Sequence, residues 1–326
     1  LVCSNSAIIR CLIETNKMPK DDGSRFQRTA FFYALRNPNI SILQALLDYS
    51  DSFSIENAYI DKDNITPLIY CIQNNDESRA ILLLRNGALV HNSLDTNSAS
   101  ALEYVISTKN ERMLNLIMPY CGPQVNAPNI KGQFVTHLCI NAGFFQGLRI
   151  IEALDNYYNP NMYSDICSHP LHAFIEINRN HTANDMMSLL RLTKINVNAF
   201  NKKHETPLMS ALIRNQNEFV RLIAKDPRCN LDLYNEEGMS ALSLAVKNRN
   251  IEAIKILIDA GALVDQPNQD GKTPLLFALS IDNPNKDICR ILIANSRVYQ
   301  WYSNGKLPID IAPNDLRADI ERRKPP

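Results

Sequence analysis

The sequence predicts an all-α protein in which helix pairs stack into a solenoid, and three observations support this. First, a short motif, Thr66-Pro67-Leu68, returns as Thr206-Pro207-Leu208 and Thr273-Pro274-Leu275, with weaker copies elsewhere. Second, the copies begin at positions 29, 66, 100, 134, 169, 206, 240, 273 and 307, which are 33 to 37 residues apart. Third, two short apolar segments of helical spacing follow each copy. Such a period with two helices per unit is typical of stacked helical repeats.

The repeat around the third Thr-Pro-Leu motif shows the internal order most clearly. Asp270-Gly271 favours a tight turn, because glycine readily takes the positive φ that such turns need. Thr273-Pro274 starts a first helix, since threonine caps the free N–H groups and proline is tolerated in the first turn. Asp282-Asn283-Pro284 interrupts the helix, and Ile288 and Ile291 then lie at helical spacing on a second one. The unit is therefore a turn, two helices and a loop.

Glycine often ends the second helix, as in Asn86-Gly87-Ala88 and Ala260-Gly261-Ala262, because it readily adopts the left-handed C-cap. The turn, the Thr-Pro-Leu start and this ending together resemble the ankyrin repeat. Residues 268–278 and 61–68 follow that family's consensus closely. Tetratricopeptide repeats have a similar period, but they lack the Asp-Gly turn and the Thr-Pro start. The resemblance covers essentially the whole chain and implies an ankyrin-repeat solenoid of about nine repeats with projecting β-turn fingers.

We expect three parts along this solenoid. Residues 1–28 are predicted to form a partial N-terminal ankyrin repeat, consisting of a second helix and a loop. Residues 29–306 hold repeats one to eight, and residues 307–326 form a C-terminal capping repeat with Leu316 and Ile320 facing inward. The copies at 29, 134, 169 and 307 lack threonine or proline, so we expect insertions, irregular turns or terminal roles there. The chain opens at Leu1 without an initiator methionine, which suggests a piece of a longer parent.

The composition supports a folded, soluble chain and argues against two classes of partner. Of the 326 residues, 45% are apolar and 21% charged, which is enough apolar side chain for a core. The 34 basic and 34 acidic side chains cancel, so no net field draws the chain to nucleic acid or anionic lipid. Every apolar run is far shorter than the roughly 18 to 20 residues of a bilayer span. We therefore expect a monomer with no nucleic-acid partner and no membrane insertion.

Eight cysteines lie far apart along the chain, and no two form a C-x-x-C pair. A chain of this length can bury enough apolar area to be stable without disulfides. We therefore expect free thiols and a reducing, cytoplasmic location.

The resemblance also implies where a partner binds. In ankyrin repeats the partner commonly meets residues flanking the turn and the end of the first helix, on the concave face. In this sequence these positions, with the aromatic Trp301, are Arg25, Arg28, Arg36, Lys62, Asp63, Gln73, Thr96, Asn97, Lys131, Gln133, Lys202, Lys203, Glu205, Arg214, Glu236, Glu237, Lys247, Gln269, Asp270 and Lys272. Only a minority of residues in a true interface carry binding energy, so the prediction concerns the set. The surface is mixed in charge and lacks an obvious aromatic ladder.

Trp301 belongs to the segment Tyr299-Gln300-Trp301-Tyr302, where bulky rings replace an ordinary loop and finger. It is a candidate interaction hot spot, because large aromatic side chains dominate the energetics of many interfaces. Packing against the terminal cap is the alternative.

Cys167, His169 and His172 place three possible zinc ligands within six residues, but a structural site needs four. The resemblance gives His172 a structural role instead, as the histidine that follows Thr-Pro-Leu and hydrogen-bonds the adjacent turn. Hydrolase, metalloprotease, P-loop and dinucleotide fingerprints are all absent from the sequence. We therefore expect no catalytic residues, no metal and no cofactor, and a protein that is not an enzyme.

The predicted function is an intracellular protein–protein interaction module that binds a partner protein or peptide on the concave ankyrin surface. One alternative is a targeting or substrate-recruiting ankyrin arm of a larger multidomain enzyme, such as an effector that an intracellular microbe secretes into its host. The high Asn and Ile content, typical of an AT-rich genome, fits that alternative. A second alternative is cysteine or metal chemistry around residues 167–172. The partner's identity is not encoded in the fold.

Overall fold

The computed structural model describes residues 34–48, 55, 65–91, 99–177, 181–298, 305 and 307–323. The chain divides into two compact units, Leu1–Cys167 and Ser168–Pro326, here called unit 1 and unit 2. The partial repeat predicted at residues 1–28 and the motif copy at position 29 lie outside the described residues.

Unit 1 is built from pairs of short helices. Its helices are α1 (Ile40–Leu47), α2 (Pro67–Gln73), α3 (Glu77–Arg85), α4 (Ala101–Ser107), α5 (Glu111–Ile117), α6 (Val135–Ala142) and α7 (Phe145–Leu154), with 3-10 helices at Met118–Tyr120 and Gly122–Asn126. The first helices of successive repeats, α2, α4 and α6, pack side by side. The second helices α3, α5 and α7 form a parallel row, and α1 packs on α3. This two-row stacking is that of a helical repeat array.

Unit 2 follows the same plan. Its helices are α8 (Pro170–Glu176), α9 (Ala183–Leu190), α10 (Pro207–Ile213), α11 (Asn217–Ala224), α12 (Ala241–Lys247), α13 (Ile251–Asp259), α14 (Pro274–Ser280), α15 (Lys286–Asn295), α16 (Pro308–Ile311) and α17 (Asn314–Glu321). First helices pack on first helices and second helices on second helices. No residue within the described ranges lies in a β-strand. The predicted all-α ankyrin-type solenoid is confirmed.

The core lies between the two rows and is made of the apolar stripes that the sequence pattern indicated. In unit 1, Leu83 and Leu114 are fully buried, and in unit 2, Ile254 and Leu257 are. Burying one such side chain contributes about 1.5–3 kcal/mol. Because each repeat covers the apolar face of the next, stability accumulates along the array.

The first helices begin at side-chain caps. The hydroxyl oxygen of Thr206 accepts a hydrogen bond from Met209 N at 3.3 Å, and Thr273 accepts from Leu276 N at the same distance. Thr66 accepts from Ile69 N at 3.4 Å. All three threonines are buried and precede a proline at the first helical position. The Thr-Pro pair therefore fixes where each first helix starts.

A second repeated feature joins the two helices of a repeat. After the first helix, one residue takes a left-handed conformation, and these residues are Asn75, Lys109, Gly143, Asn215, Arg249 and Asn283, with φ from 53° to 65°. Around Lys109, for example, Lys109 N donates to Ile106 O and Asn110 N donates to Val105 O, both at 3.1 Å. This bonding satisfies the last carbonyl groups of the helix and reverses the chain.

In the finger before α8, Ser164 Oγ accepts from Cys167 N at 3.2 Å. The other four described fingers share one design. In each, an asparagine side chain accepts main-chain N–H groups of its own turn, and these asparagines are Asn129, Asn201, Asn235 and Asn268. Three fingers carry glycine at the position of positive φ, whereas the finger of residues 201–205 has His204, with φ 55°. An asparagine that bonds its own turn stabilises such a loop without any neighbour.

The copies at 134, 169 and 307, which depart from the consensus, still form helices. Phe134 gives α6 no side-chain cap, and His169 caps α8 through Nδ1, which accepts from Leu171 N at 3.4 Å. The segment after α7 packs against α6. The hydroxyl of Tyr158 in this segment lies 2.9 Å from Oγ1 of Thr136 in α6. At the other end of the chain, Leu316 and Ile320 of α17 are fully buried. Leu316 and Ile320 thus face inward, as the sequence predicted.

Candidate partner-binding surface

The predicted partner-binding residues divide into those that the structure describes and those that it does not. Arg25, Arg28, Lys62, Asp63, Thr96, Asn97 and Trp301 lie outside the described residues. The remaining positions lie on the fingers and at the ends of the first helices. Most are exposed, while Gln133, Glu205 and Lys272 are half-buried. The described set therefore faces solvent along one side of each unit.

In unit 1 this side carries a groove, here called the Tyr104 groove. A cavity of about 420 Å³ runs between α4, α6 and the finger of residues 129–133. A second cavity, of about 360 Å³, lies between the C-terminal ends of α2 and α4. Tyr104 lines both cavities and is therefore their common residue. Three predicted residues line the groove: Gln73 at one end, and Lys131 and Gln133 at the other.

Two tyrosines on this face were not among the predicted residues. Tyr70 and Tyr104 are each the fourth residue after the start of their motif, so they occupy equivalent places on α2 and α4. Both are half-buried. The predicted residue Arg36 donates from Nε to the Tyr70 hydroxyl at 3.3 Å, and its guanidinium carbon lies 5.8 Å from the ring centre. Rings also occupy this position at Tyr33 and Phe277, whereas the remaining copies carry Leu, Ala, Ser or Ile, so a ring at this first-helix position is the signal that was missed.

In unit 2 the charges alternate from finger to finger. The finger of residues 201–205 exposes Lys202 and Lys203, and Arg214 is exposed at the end of α10. The next finger exposes Glu236 and Glu237. Lys247, at the end of α12, reaches back to Glu237 with 2.7 Å between Nζ and Oε2. Since both partners are about half exposed, that ion pair adds little stability and leaves the groups available to a ligand.

Some of the predicted partner-binding residues also make contacts within or between the fingers. The Asn201 amide donates to Glu205 Oε2 at 2.9 Å, within the same finger. The side chain of Gln269 lies directly over Gly238 of the preceding finger, where a Cβ atom would come within 2.0 Å of Gln269 Cγ. Asp270 and Lys272 lie in the turn that follows Asn268. The Asn268 side chain accepts hydrogen bonds from the main-chain N–H groups of both residues. Gln269 therefore contributes to finger packing.

The bases of the fingers in unit 2 also hold a stacked pair of rings. His204 stacks on Phe200 with 3.9 Å between ring centres. Its Nδ1 lies 3.3 Å from the Tyr234 carbonyl oxygen, and the Tyr234 hydroxyl donates to Pro267 O at 2.9 Å. These contacts tie three successive fingers together. His204 is exposed, and it still makes both of these contacts.

The structure gives His172 the role that the resemblance implied. Its Nε2 lies 2.8 Å from the Ala199 carbonyl oxygen, just ahead of a finger, and its Nδ1 lies 2.9 Å from Ser210 Oγ. Both ring nitrogens are engaged, so neither is available to a metal ion. Across the described part of the chain, no three His, Cys, Asp or Glu side chains are grouped as a metal site requires.

The described cysteines are free thiols, and four of them, Cys71, Cys121, Cys139 and Cys289, are buried. Burial raises the pKa of Cys71 and of Cys121 to about 12, with smaller contributions from nearby Asp76 and Asp155. Burial and the carboxylates of Asp226 and Asp232 also raise the pKa of Cys229 to about 12. A thiol attacks as the thiolate, which these environments disfavour. None of these cysteines is placed to act as a nucleophile.

Paired helices in two rows, linked by left-handed turns and fingers, define a helical repeat protein. The family model described as ankyrin repeats (3 copies) matches residues 1–95 and 216–301, which is more than half of the chain. The chain belongs to the ankyrin-repeat family. Members of this family generally mediate protein–protein interaction. Among the helices that the structure describes, none combines the length and apolar character needed to cross a bilayer.

Three similar proteins illustrate the range of the family. The chain is 27% identical to the nuclear factor NF-kappa-B p105 subunit of Gallus gallus over 161 residues, covering 48% of this chain and 16% of that protein. It is 21% identical to the E3 ubiquitin-protein ligase KEG of Arabidopsis thaliana over 263 residues, covering 78% and 16%. It is 31% identical to protein phosphatase 1 regulatory subunit 27 of Homo sapiens over 105 residues, covering 32% and 67%. The chain thus spans only about a sixth of the first two.

Proposed function

We propose that this chain is a protein-binding module that holds a partner protein or peptide on the face made by its fingers and first helices. The observation that carries the proposal is the placement of the predicted residues. They form an exposed polar surface in each unit, and in unit 1 that surface encloses the Tyr104 groove. Rigid stacked helices favour binding, because the protein loses little conformational entropy when the partner docks. A similar protein named as a regulatory subunit of protein phosphatase 1 fits a role without catalysis. The free thiols fit action in the cytoplasm.

The test is affinity capture from cytosolic lysate with the parent chain and two variants. The first variant, Lys202→Glu, Lys203→Glu and Arg214→Glu, reverses three charges on the finger side of unit 2. The control, Arg221→Glu, Lys225→Glu and Lys255→Glu, makes the same chemical changes on exposed positions of the second helices.

We expect mass spectrometry to find a protein that the parent and the control retain and that the finger variant loses. Loss of the protein from both variants would indicate non-specific attraction to positive charge and would count against the proposal. Recovery of no specific protein with the parent would overturn it.

A second candidate is a recruiting arm that delivers a substrate to a catalytic domain of a longer protein. The observation that favours it is the similarity to a protein named as an E3 ubiquitin-protein ligase, of which this chain spans 16%. If this is correct, a protein captured by the chain becomes modified when the full-length parent is supplied. An unchanged captured protein would contradict the recruiting role and leave simple binding.

A further inference from the structure

We propose that the Tyr104 groove binds an extended, uncharged polypeptide segment of the partner, recognising its main chain through side-chain amides and one apolar side chain through Tyr104. This inference rests on the proposed function and names the chemistry of the partner for one of its surfaces.

The shape of the groove suits an extended chain. It crosses three neighbouring first helices, from the end of α2 past α4 to α6. Packed helices lie about 8–10 Å apart, so the groove is roughly 20 Å long. An extended peptide advances about 3.3 Å per residue, so roughly six residues fit along it.

The charge of the groove excludes strongly charged ligands. Its charged lining residues are Glu103 and Lys131, whose charges are opposite and lie in the same cavity. The remaining polar lining consists of uncharged amides and hydroxyls, such as those of Gln73 and Ser107. The fingers of unit 2 instead present a basic pair followed by an acidic pair. A neutral segment therefore fits the Tyr104 groove better than an acidic or basic one.

The amides supply the pairing groups that a peptide main chain needs. Within the described residues, the side-chain amides of Gln73 and Gln133 make no hydrogen bond. Asn129 Oδ1 accepts from Lys131 N and Gln133 N at 3.0 and 2.8 Å, which leaves its Nδ2 group as a donor. A primary amide offers a donor and an acceptor side by side, and each peptide unit offers the complementary pair. Because these hydrogen bonds do not involve the ligand's side chains, the amides recognise the main chain of the ligand.

The apolar contact is provided at the centre of the groove. Tyr104 is half-buried and lines both cavities, with Ile72 also lining one cavity and Ile106 and Leu138 the other. An aromatic ring of this kind contributes a large contact area at little cost in conformational entropy. One apolar side chain of the ligand can therefore be fixed here while the amides hold the flanking main chain.

The experiment selects short random peptides on the intact chain and measures the affinity of the enriched sequences by calorimetry. They are tested against the parent, Tyr104→Ala, the double variant Gln73→Ala with Gln133→Ala, and a control, Gln124→Ala, at an exposed glutamine outside the groove. Tyr104→Phe keeps the ring, and thermal melting of every variant checks that the fold is kept. Each peptide is also made with N-methylated peptide bonds at its centre.

We expect peptides of low net charge that bind the parent, Gln124→Ala and Tyr104→Phe alike. Affinity should fall about 10-fold or more in Tyr104→Ala, in the double glutamine variant and on N-methylation, which removes main-chain donors. Unchanged affinity after N-methylation would overturn the inference. So would enriched peptides that are charged and lose binding in the Lys202→Glu, Lys203→Glu, Arg214→Glu variant, although the proposed function would then stand. Failure to enrich any peptide would also overturn it, while lysate capture tests the proposed function separately.

Discussion

The imidazole of His172 and the hydroxyl of Ser210 are joined across 2.9 Å, between the neighbouring first helices α8 and α10. Nε2 of the same ring faces the Ala199 carbonyl oxygen, which can only accept, so Nε2 carries the proton. Nδ1 of the neutral ring therefore accepts from Ser210. The buried His172 side chain thus links α8 to α10 and to the main chain at Ala199, just before the finger of residues 201–205.

This arrangement predicts a pH-dependent loss of stability. Burial lowers the pKa of His172 below its usual 6.5, so the unfolded state binds more protons than the folded state below that pH. The free energy of unfolding should therefore fall as the pH drops below about 6.5. In His172→Leu we expect a smaller fall, together with a loss of about 1–3 kcal/mol at neutral pH, because the Ala199 carbonyl loses its donor. Urea denaturation at several pH values measures both, and identical pH slopes for parent and variant would contradict the prediction.

The contact between Gln269 and Gly238 predicts a difference between two glycine substitutions. Gly238 and Gly261 both have positive φ, so Gly238→Ala and Gly261→Ala each carry about 1–2 kcal/mol of backbone strain. A Cβ at Gly238 also overlaps Gln269, whereas one at Gly261 meets open space. We expect Gly238→Ala to lower the midpoint of thermal unfolding clearly more than Gly261→Ala. Equal midpoints would show that the finger contact has no energetic weight.

Arg228 should stabilise unit 2 more than an arginine that makes only a surface ion pair, because it also bonds main-chain carbonyl groups. Its guanidinium donates to the carbonyl oxygens of Leu190 and Leu192 at the end of α9 and pairs with Asp226 at 2.7 Å. Because hydrogen bonds from Arg228 lower the pKa of Asp226, this contribution is present at neutral pH and is lost as the pH falls below about 3.8.

We expect Arg228→Leu to cost about 1–3 kcal/mol in urea denaturation, since several main-chain carbonyl groups lose their donor. The control Arg221→Ala removes a pair with Glu252 in which both side chains are at least half exposed, and it should cost less than about 1 kcal/mol. A comparable cost for the two variants would argue against the capping role.

The cysteine environments predict an order of chemical labelling in the native state. Cys167 is partly exposed, whereas Cys71, Cys121, Cys139 and Cys289 are buried, and burial raises the pKa of Cys289 to about 11. Iodoacetamide near neutral pH should modify Cys167 well before these four, which should react only after denaturation. Peptide mass spectrometry measures the order. Rapid labelling of Cys71 or Cys139 in the native state would contradict this prediction.

Much of the fold could be predicted from the sequence because its signals are local. Thr66, Thr206 and Thr273 cap the helices that they precede, and Gly87 and Gly261 end the helices that they follow. The left-handed turn between helices was not predictable from residue type, because only Gly143 among its six occupants is glycine. Hydrogen bonds to the preceding helix impose that conformation on Lys109 and Arg249, against their own preference.

For the candidate surface, the resemblance to the ankyrin repeat placed Gln73 and Gln133 among the binding candidates. It did not reveal the groove between them, nor the place of Tyr104 at its centre. Tyr70 and Tyr104 stand 34 residues apart in the sequence and lie on adjacent helices only once the repeats stack. The sequence by itself determined the repeating unit, because caps and turns are set by bonds between near neighbours. Only the tertiary structure decided the cavity, because its walls come from three repeats whose distance is fixed by packing.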